Sequence, residues 1–211
     1  MNKRELIESL EQRGFSKEIL KAFYSVKRED FVLESMREHS YDDTALPIGS
    51  GQTISQPSTI AVMLSLLDLK SGQKVLEVGS GSGYVLALLS EIIGNKGEVF
   101  GLEIIKKLEE KSKENISDYD NIHVFNRSGN LGLEEDVVFD RILISAACRE
   151  IPEKIIPHLK NNGILVAPMG GNLGQSITSF KKIKNKLVKT KEIPGFVFVP
   201  FVEKNLKNKI D

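Results

Sequence analysis

Three glycines alternate with two serines directly after an apolar run, in the segment Gly79-Ser80-Gly81-Ser82-Gly83. A strand, a glycine-rich turn and a helix in this order bind nucleotides, because the backbone can approach a ligand where no side chain stands in the way. A dinucleotide site would need its third glycine at position 84, which here is Tyr84. The spacing G-x-G-x-G therefore favours a nucleoside cofactor without a pyrophosphate, with S-adenosylmethionine as the leading candidate.

An acidic residue, Glu103, ends the next apolar run, 20 positions after Gly83. At that place in a doubly wound sheet, a carboxylate faces the glycine-rich turn and accepts hydrogen bonds from both hydroxyls of a ribose. A solvated carboxylate at a strand end is the alternative, and the pairing with the turn favours the ribose role. Glu77 lies inside the first strand, where a lone charge is costly. It either helps to bind a cofactor ammonium group indirectly or hydrogen-bonds to local backbone, and the sequence leaves both interpretations open.

The residues 39–55 show no sustained hydrophobic period. A loop of this length inside a compact domain is usually functional. Ser55 closes the loop, just before Gln56-Pro57 opens a helix. The Ser55 hydroxyl either marks the helix start, as serines often do, or positions a substrate or cofactor group. The free N–H groups at that helix start are also expected to hold an anion.

The composition excludes several classes of protein. The 211 residues carry 29 basic and 29 acidic side chains, a balance that gives no electrostatic footprint for nucleic acid or a membrane surface. No apolar run approaches the roughly 20 residues of a membrane span. The one cysteine, Cys148, suits a reducing compartment, and the three isolated histidines offer no metal-ligand spacing. We therefore expect a soluble, cytoplasmic monomer that binds neither nucleic acid, membrane nor metal.

Apolar runs that alternate with helical patterns must position these residues. The runs predict parallel strands at 74–78, 97–103, 121–126, 138–146 and 163–168. Helices are predicted between them at 85–93, 106–117 and 151–159. The C-terminal part mixes apolar and polar residues and predicts an antiparallel hairpin, followed by a last strand, at 176–183, 187–193 and 196–202.

Helical patterns within residues 2–38 predict an N-terminal helical cap ahead of the first strand. We expect a Rossmann-like α/β fold whose doubly wound, mostly parallel, seven-stranded sheet has an antiparallel C-terminal edge. One domain is expected over residues 1–211. Its N-terminal helices and active-site loop occupy 1–70, and its cofactor-binding sheet occupies 71–211.

The segments YDD at 41–43, ALPIG at 45–49 and GQTISQP at 51–57 resemble the signature of the protein-L-isoaspartate O-methyltransferases. The resemblance continues through VLEVGSGSGY to Val199-Pro200 and covers nearly the whole chain. It implies a class I methyltransferase fold. It also implies methyl transfer from S-adenosylmethionine to the α-carboxylate of L-isoaspartyl residues in damaged proteins and peptides, with S-adenosylhomocysteine as product. The methyl ester then closes spontaneously to a succinimide, which opens partly to aspartate.

The resemblance further implies roles for single residues. Ser55, the serine of the TIS motif, is implied to be catalytic and to contact the substrate. The strip near the C-terminus is implied to line the substrate cleft through Val199, Pro200 and Val202. The implied cofactor contacts are Gln52, Thr53, Ile54, Ser55, Gly79, Ser80, Gly81, Ser82, Gly83, Glu103, Ile104, Ser128 and Gly129.

One position departs from the family pattern. Family members usually carry a G-D-G run after the third strand, and its aspartate approaches the adenine amino group. Here the run is Arg127-Ser128-Gly129, so Ser128 stands where the aspartate is expected. A serine oxygen still accepts a hydrogen bond, but from a shorter and neutral side chain, and we expect somewhat weaker cofactor binding.

The implied reaction needs no general base, because a carboxylate with a pKa of about 4 is already ionised at neutral pH. This agrees with a sequence in which no histidine-based catalytic set can be picked out. Two alternatives stay open. The first is an S-adenosylmethionine-dependent methyltransferase that acts on RNA or a small molecule, against which the TIS signature counts. The second is a non-catalytic fold relative, which only Ser128 favours.

Overall fold

The computed structural model describes residues 1–133, 137–171 and 174–202. The charged tail 203–211, which its composition predicts to fray, lies outside the described residues. The helices are α1 (Lys3–Gln12), α2 (Lys17–Ser25), α3 (Pro57–Leu67), α4 (Tyr84–Ile93) and α5 (Lys106–Asn115). The strands are β1 (Leu46–Gly49), β2 (Gln52–Ile54), β3 (Lys74–Val78), β4 (Glu98–Glu103), β5 (Ile122–Asn126), β6 (Phe139–Ile144), β7 (Leu159–Gly171), β8 (Gly174–Ile183) and β9 (Lys186–Phe196). Short 3-10 helices lie at Arg28–Phe31, Glu34–His39, Gly129–Leu131 and Glu153–His158.

The main sheet has seven strands in the order β5-β4-β3-β6-β7-β8-β9. Strands β3 to β7 pair in parallel, and β8 and β9 add antiparallel at one edge. The predicted fold class is therefore confirmed. The chain runs outward from β3 to β5 and then returns to β6 on the other side of β3. In sheets of this kind, ligands bind beside such a switch point, at the carboxyl ends of the strands.

The central parallel strands are largely apolar because both faces of the sheet are covered there. Successive residues alternate between two cores, so that Val75 packs on the side of the N-terminal helices and Leu76 on the opposite side. In β6, Leu143 likewise packs in the first of these cores and Ile144 in the second. The near-continuous apolar runs follow from this double burial. No helix within the described ranges is long and apolar enough to cross a bilayer.

The N-terminal cap forms as its sequence predicts. Asn2 and Glu5 close a capping box at the start of α1, and the Ser16 hydroxyl accepts the Ile19 N–H at 3.4 Å at the start of α2. Leu10 of α1 and other apolar residues of the cap join the core that covers one face of the sheet. The cap thereby stands beside the carboxyl end of β3.

Two predicted elements are wrong. The segment 151–159 is not an α-helix, because Pro157 lacks an N–H and restricts the residue before it, and only a 3-10 helix at Glu153–His158 forms. The predicted strand at 196–202 does not form: Phe196 ends β9, and residues 197–202 are irregular, with a single bridge between Pro200 and Ala147 as their ladder contact. Phe198 is buried, whereas Val197 and Val202 are exposed, so the apolar run does not mark a strand covered on both faces.

A small antiparallel hairpin, β1 with β2, occupies the region that the sequence predicts as an irregular loop. Ser50 and Gly51 turn the hairpin with positive φ angles of 53° and 71°. Pro47 argues against a strand in the sequence, but a two-stranded hairpin has free edges where a proline is tolerated. The hairpin carries the TIS motif to the edge of the main sheet.

Candidate active site

The glycine-rich turn leaves β3 at the switch point of the sheet. Gly79, Gly81 and Gly83 have φ angles of 81°, 54° and 90°, which residues with a side chain rarely adopt. A Cβ atom at Gly83 would stand 2.6 Å from Ser112 Oγ of α5, and one at Gly81 would stand 3.1 Å from Ile48 Cδ1 of β1. The φ angles therefore favour glycine at all three positions, and at Gly83 the space beside α5 favours it as well.

Glu103 ends β4 beside this turn, and its side chain is buried. Its Oε2 accepts the Gly81 N–H at 2.9 Å, and its Oε1 accepts the Ile105 N–H at 2.9 Å. The carboxylate thus joins the glycine-rich turn to the start of α5. Because each carboxylate oxygen has two lone pairs, each keeps one for a ligand. This arrangement suits the two hydroxyls of a ribose.

Two cavities meet over the glycine-rich turn. The first, of about 460 Å³, reaches Ser55 and Glu77. The second, of about 620 Å³, reaches Glu103 and Phe201. The residues that line both are Ile48, Thr53, Gly79, Gly81 and Ser145. Together the cavities suit an elongated ligand with a nucleoside at one end and a small polar group at the other.

Glu77 lies at the polar end of the first cavity and is 1% exposed. The Ser145 hydroxyl donates to its Oε1 at 2.6 Å, whereas its Oε2 has no hydrogen-bond partner among the described residues. Burial raises the pKa of Glu77 to about 8, because a charged carboxylate is costly away from water. The observed partner is a side chain rather than local backbone. An ammonium group in the cavity would meet the open oxygen and favour its charged form.

Ser55 stands between β2 and α3 and lines the first cavity. On its other side it lines an outer groove of about 990 Å³, whose far wall is the segment 195–199. The Ser55 carbonyl accepts a hydrogen bond from Arg28 Nη2 at 2.9 Å. Ser55 therefore lies where the first cavity and the outer groove come together.

The start of α3 already holds an anion that belongs to the chain itself. Asp43 Oδ1 accepts the Ser58 N–H at 2.8 Å, and Asp43 Oδ2 pairs with Arg13 at 3.1 Å. The expected anion is therefore the Asp43 carboxylate, and the Ser58 N–H is not free for a substrate carboxylate. The Asp43 carboxylate instead holds the N-terminus of α3, which begins at Pro57, shortly after Ser55.

Most of the residues implied to contact the cofactor border the two cavities. In β2, Thr53 and Ile54 line the first cavity, and Gln52 and Thr53 line the second. Within the glycine-rich turn, Gly83 is absent from the described linings of both cavities. Further residues that line one or both cavities are Gly79, Ser80, Gly81, Ser82, Glu103, Ile104 and Gly129.

Ser128 follows β5 and is 2% exposed. Its hydroxyl donates to Asn130 Oδ1 at 2.6 Å. Its neighbours Arg127 and Gly129 line the second cavity, while Ser128 is absent from the described lining. A Cβ atom at Gly129 would lie 2.3 Å from Val78 Cγ1, so that the backbone here packs directly on β3.

The C-terminal strip, residues 199–202, borders the second cavity and, at its first residue, the outer groove. Val199, Pro200 and Val202 line the second cavity, and Val199 also lines the outer groove. Phe201, which the sequence prediction missed, lines the second cavity beside Gly129. Its position between Pro200 and Val202 in an apolar strip is the one signal that points to it. Hydrogen bonds of 2.8 Å from the Ala147 N–H to the Val199 carbonyl and from the Phe201 N–H to the Ala147 carbonyl hold the strip in place.

Other reactive residues lie apart from the cavities. His39 pairs with Asp42, His123 lies near Glu98, and His158 contacts the Val137 carbonyl. Across the three described ranges, no three His, Cys, Asp or Glu side chains are grouped as metal ligands. Burial raises the pKa of the Cys148 thiol to about 11, which keeps it protonated and poorly nucleophilic.

The sheet order, the glycine-rich turn and the acid at the end of β4 define a class I methyltransferase that uses S-adenosylmethionine. A family model described as protein-L-isoaspartate(D-aspartate) O-methyltransferase matches residues 1–206. The chain belongs to this family.

Relatives and solved structures agree over the whole chain. A protein-L-isoaspartate O-methyltransferase of Ignicoccus hospitalis is 38% identical, covering 95% of this chain and 97% of its own, and one of Methanothrix thermoacetophila is 39% identical, covering 97% and 96%. A solved protein-L-isoaspartate O-methyltransferase aligns with a TM-score of 0.88 at 30% identity, over 98% of this chain and 68% of its own. A Plasmodium falciparum structure described by the same activity is in complex with S-adenosyl-L-homocysteine. It aligns with a TM-score of 0.84 at 27% identity, over 97% of this chain and 100% of its own.

These findings identify the reaction. The chain is an S-adenosylmethionine-dependent enzyme that methylates L-isoaspartyl residues of damaged proteins. The two alternatives, an RNA or small-molecule acceptor and a non-catalytic relative, are not favoured.

Replacing Ser128 with aspartate is expected to tighten S-adenosylmethionine binding by about 2- to 30-fold. A charged acceptor contributes about 1.5–3 kcal/mol to a hydrogen bond, against about 1 for a neutral one. Titration calorimetry of both proteins measures the two dissociation constants. If affinity is unchanged or weaker in Ser128→Asp, the serine does not limit cofactor binding.

Proposed function

We propose that Ser55 is the active-site residue at which this enzyme methylates the α-carboxylate of an L-isoaspartyl residue. One observation carries the proposal: Ser55 lines both the cavity beside the glycine-rich turn and the outer groove. A methyl donor in the cavity and a peptide in the groove approach each other at this residue.

The cofactor is assigned to the two adjoining cavities. When bound, S-adenosylmethionine supplies an electrophilic methyl group on its sulfonium and becomes S-adenosylhomocysteine. We assign Glu103 to the ribose hydroxyls and Glu77 to the ammonium group. The unpaired Oε2 of Glu77, a residue that lines the first cavity, supports the fit. The remaining assigned contacts line these cavities and are Gln52, Thr53, Ile54, Ser55, Gly79, Ser80, Gly81, Ser82, Ile104 and Gly129. Gly83 and Ser128, which the resemblance also implies, lie behind the described linings, and we assign them to holding the turn and the wall of the site.

The protein contributes alignment rather than acid–base chemistry. The substrate carboxylate, with a pKa of about 4, is ionised before it binds. The Ser55 hydroxyl donates a hydrogen bond to one carboxylate oxygen and leaves the other free to attack the methyl carbon in line. Apolar side chains of α3, Ile60 and Met63, line the first cavity and exclude water from the reacting atoms.

The substrate is assigned to the outer groove. Its wall at 195–199 carries Val197, which is 92% exposed, and an extended peptide backbone fits along it. Val199 lines both this groove and the second cavity, and Pro200 and Val202 line the second cavity beside it. We assign all three to the substrate. The methyl ester formed on the isoaspartyl residue closes to a succinimide after release, and part of it reopens to aspartate.

Partners and location follow from the same proposal. Isoaspartyl proteins and peptides are the partners. The expectations that the enzyme is a monomer, acts in the cytoplasm and uses neither nucleic acid nor a membrane stay predictions from the sequence.

Replacing Ser55 with alanine is expected to lower kcat by about 10- to 100-fold, because a carboxylate that is not held in line reacts much more slowly. The dissociation constant for S-adenosylmethionine is expected to change by less than about 3-fold. Steady-state methylation of an isoaspartyl peptide measures kcat, and Ser65→Ala, at an exposed position of α3, is the matched control. A wild-type kcat in Ser55→Ala would refute the role of the hydroxyl.

A further inference from the structure

Arg28 begins the 3-10 helix after α2 and is 0% exposed. A buried arginine is costly unless a carboxylate or several acceptors compensate it. In the described part of the chain, no carboxylate forms an ion pair with Arg28. Its Nε and Nη1 atoms have no hydrogen-bond partner there. An apolar side chain of similar size would avoid this cost, so stability alone does not explain an arginine at this position.

The third guanidinium nitrogen of Arg28 joins the two ends of the hairpin segment. Nη2 donates to the Ser55 carbonyl at 2.9 Å and approaches the Thr44 carbonyl at 3.4 Å. Thr44 precedes β1 and Ser55 follows β2, so the two carbonyls bracket the β1–β2 hairpin. Arg28 therefore closes the base of the segment that presents the TIS motif.

The same guanidinium also contacts the glycine-rich side of the site. Its Cζ atom lies 5.0 Å from the centroid of the Tyr84 ring, within cation–π range. Tyr84 is the first residue of α4, directly after Gly83, and its ring is held by Phe23 and Phe31. Arg28 thus connects the backbone of Ser55 with the helix that follows the cofactor turn.

We propose that Arg28 is a positioning residue that sets the distance between the Ser55 hydroxyl and the glycine-rich turn. The inference rests on the active-site role proposed for Ser55. Arg28 lines neither cavity among the described residues, and it reaches the site through the Ser55 and Thr44 carbonyls and the Tyr84 side chain. Lysine cannot replace it, because an ammonium group is a point donor and lacks the flat face that stacks on an aromatic ring.

The test is a double-mutant cycle of Arg28→Lys and Ser55→Ala on kcat for an isoaspartyl peptide. Arg28→Lys alone is expected to lower kcat by about 10-fold while the dissociation constant for S-adenosylmethionine, measured by calorimetry, changes by less than about 3-fold. In the Ser55→Ala background, the same change is expected to lower kcat by less than about 2-fold, because the group that Arg28 positions is then missing.

Arg141 provides the matched control. It is also buried, and it donates to the Leu67 carbonyl at 2.5 Å and the Asp68 carbonyl at 2.9 Å at the far end of α3. Arg141→Lys is expected to lower the melting temperature and to keep the wild-type kcat. If Arg28→Lys does not fold, Arg28→Gln, which keeps one donor for the Ser55 carbonyl, takes its place in the cycle.

The outcomes separate the two proposals. A wild-type kcat in the Arg28 variant, or an equal loss with and without the Ser55 hydroxyl, would overturn the positioning role of Arg28. A loss of kcat in Arg141→Lys as large as that in Arg28→Lys would also overturn it, since general destabilisation would then explain both. A wild-type kcat in Ser55→Ala alone would instead remove the proposed role of Ser55, on which the inference rests.

Discussion

Replacing Glu103 with glutamine is expected to raise the dissociation constant for S-adenosylmethionine by about 100-fold or more. Both carboxylate oxygens already accept a backbone N–H, from Gly81 and from Ile105. In the glutamine variant, one oxygen becomes an NH2 group that faces one of these donors. The variant therefore disturbs the glycine-rich turn and also weakens two charge-assisted hydrogen bonds to the ribose, each of about 1.5–3 kcal/mol.

Calorimetric titration with S-adenosylmethionine measures this effect. Glu98→Gln is the matched control, because Glu98 lies on the same strand but is half exposed and pairs with Lys74. We expect the control to bind like the wild type. A dissociation constant in Glu103→Gln within about 3-fold of the wild type would show that this carboxylate does not hold the ribose.

Replacing Glu77 with glutamine is expected to remove a pH dependence from the stability of the ligand-free protein. Burial raises the pKa of Glu77 to about 8 in the folded state, against about 4.5 when unfolded. Between these values the folded state binds more protons than the unfolded state, so the free energy of unfolding falls as the pH rises. From pH 5.5 to 8.5 the loss due to Glu77 is on the order of 3 kcal/mol. Glutamine carries no ionisable group, so the Glu77→Gln protein does not lose this stability as the pH rises.

Urea unfolding at pH 5.5, 7 and 8.5 measures this difference. Glu109→Gln is the control, since Glu109 is also buried but its pKa is lowered by the hydrogen bond from Lys113 and, against the effect of burial, by Lys106. The stabilisation that the ionised Glu109 carboxylate contributes is lost only at more acidic pH. Glu109→Gln is therefore expected to change the free energy of unfolding by the same amount at all three pH values. If the wild type and Glu77→Gln differ in free energy of unfolding by the same amount at pH 5.5 and at pH 8.5, Glu77 is not a buried, protonated acid.

The main sheet could be predicted because a parallel strand covered on both faces must be apolar along its whole length. The runs at β3 and β6 show this plainly, since alternate residues enter two different cores. The same signal misleads at 196–202, where Phe198 is buried but Val197 is exposed and the backbone after Phe196 is irregular. At β1 and β2 the reverse holds, because Pro47 and the glycines suggest a loop where a short hairpin forms.

The candidate site could be predicted where its chemistry depends on local sequence. The glycine-rich turn requires positive φ angles, and Glu103 follows it at a strand end, so both are recognisable from spacing. Arg28 and Asp43 could not be predicted. They act on Ser55 and Ser58 across 27 and 15 positions, and nothing in a polar run such as Arg28-Glu29-Asp30 distinguishes a buried arginine from a solvated one.

The central claim is that this enzyme recognises the carboxylate of a damaged aspartyl residue. It is tested most directly with two peptides of the same sequence, one with L-isoaspartate and one with normal L-aspartate, and with methyl-labelled S-adenosylmethionine. We predict one base-labile methyl ester on the isoaspartyl peptide and none on its twin. Equal labelling of both peptides, or cofactor binding without any transfer to the isoaspartyl peptide, would contradict the claim.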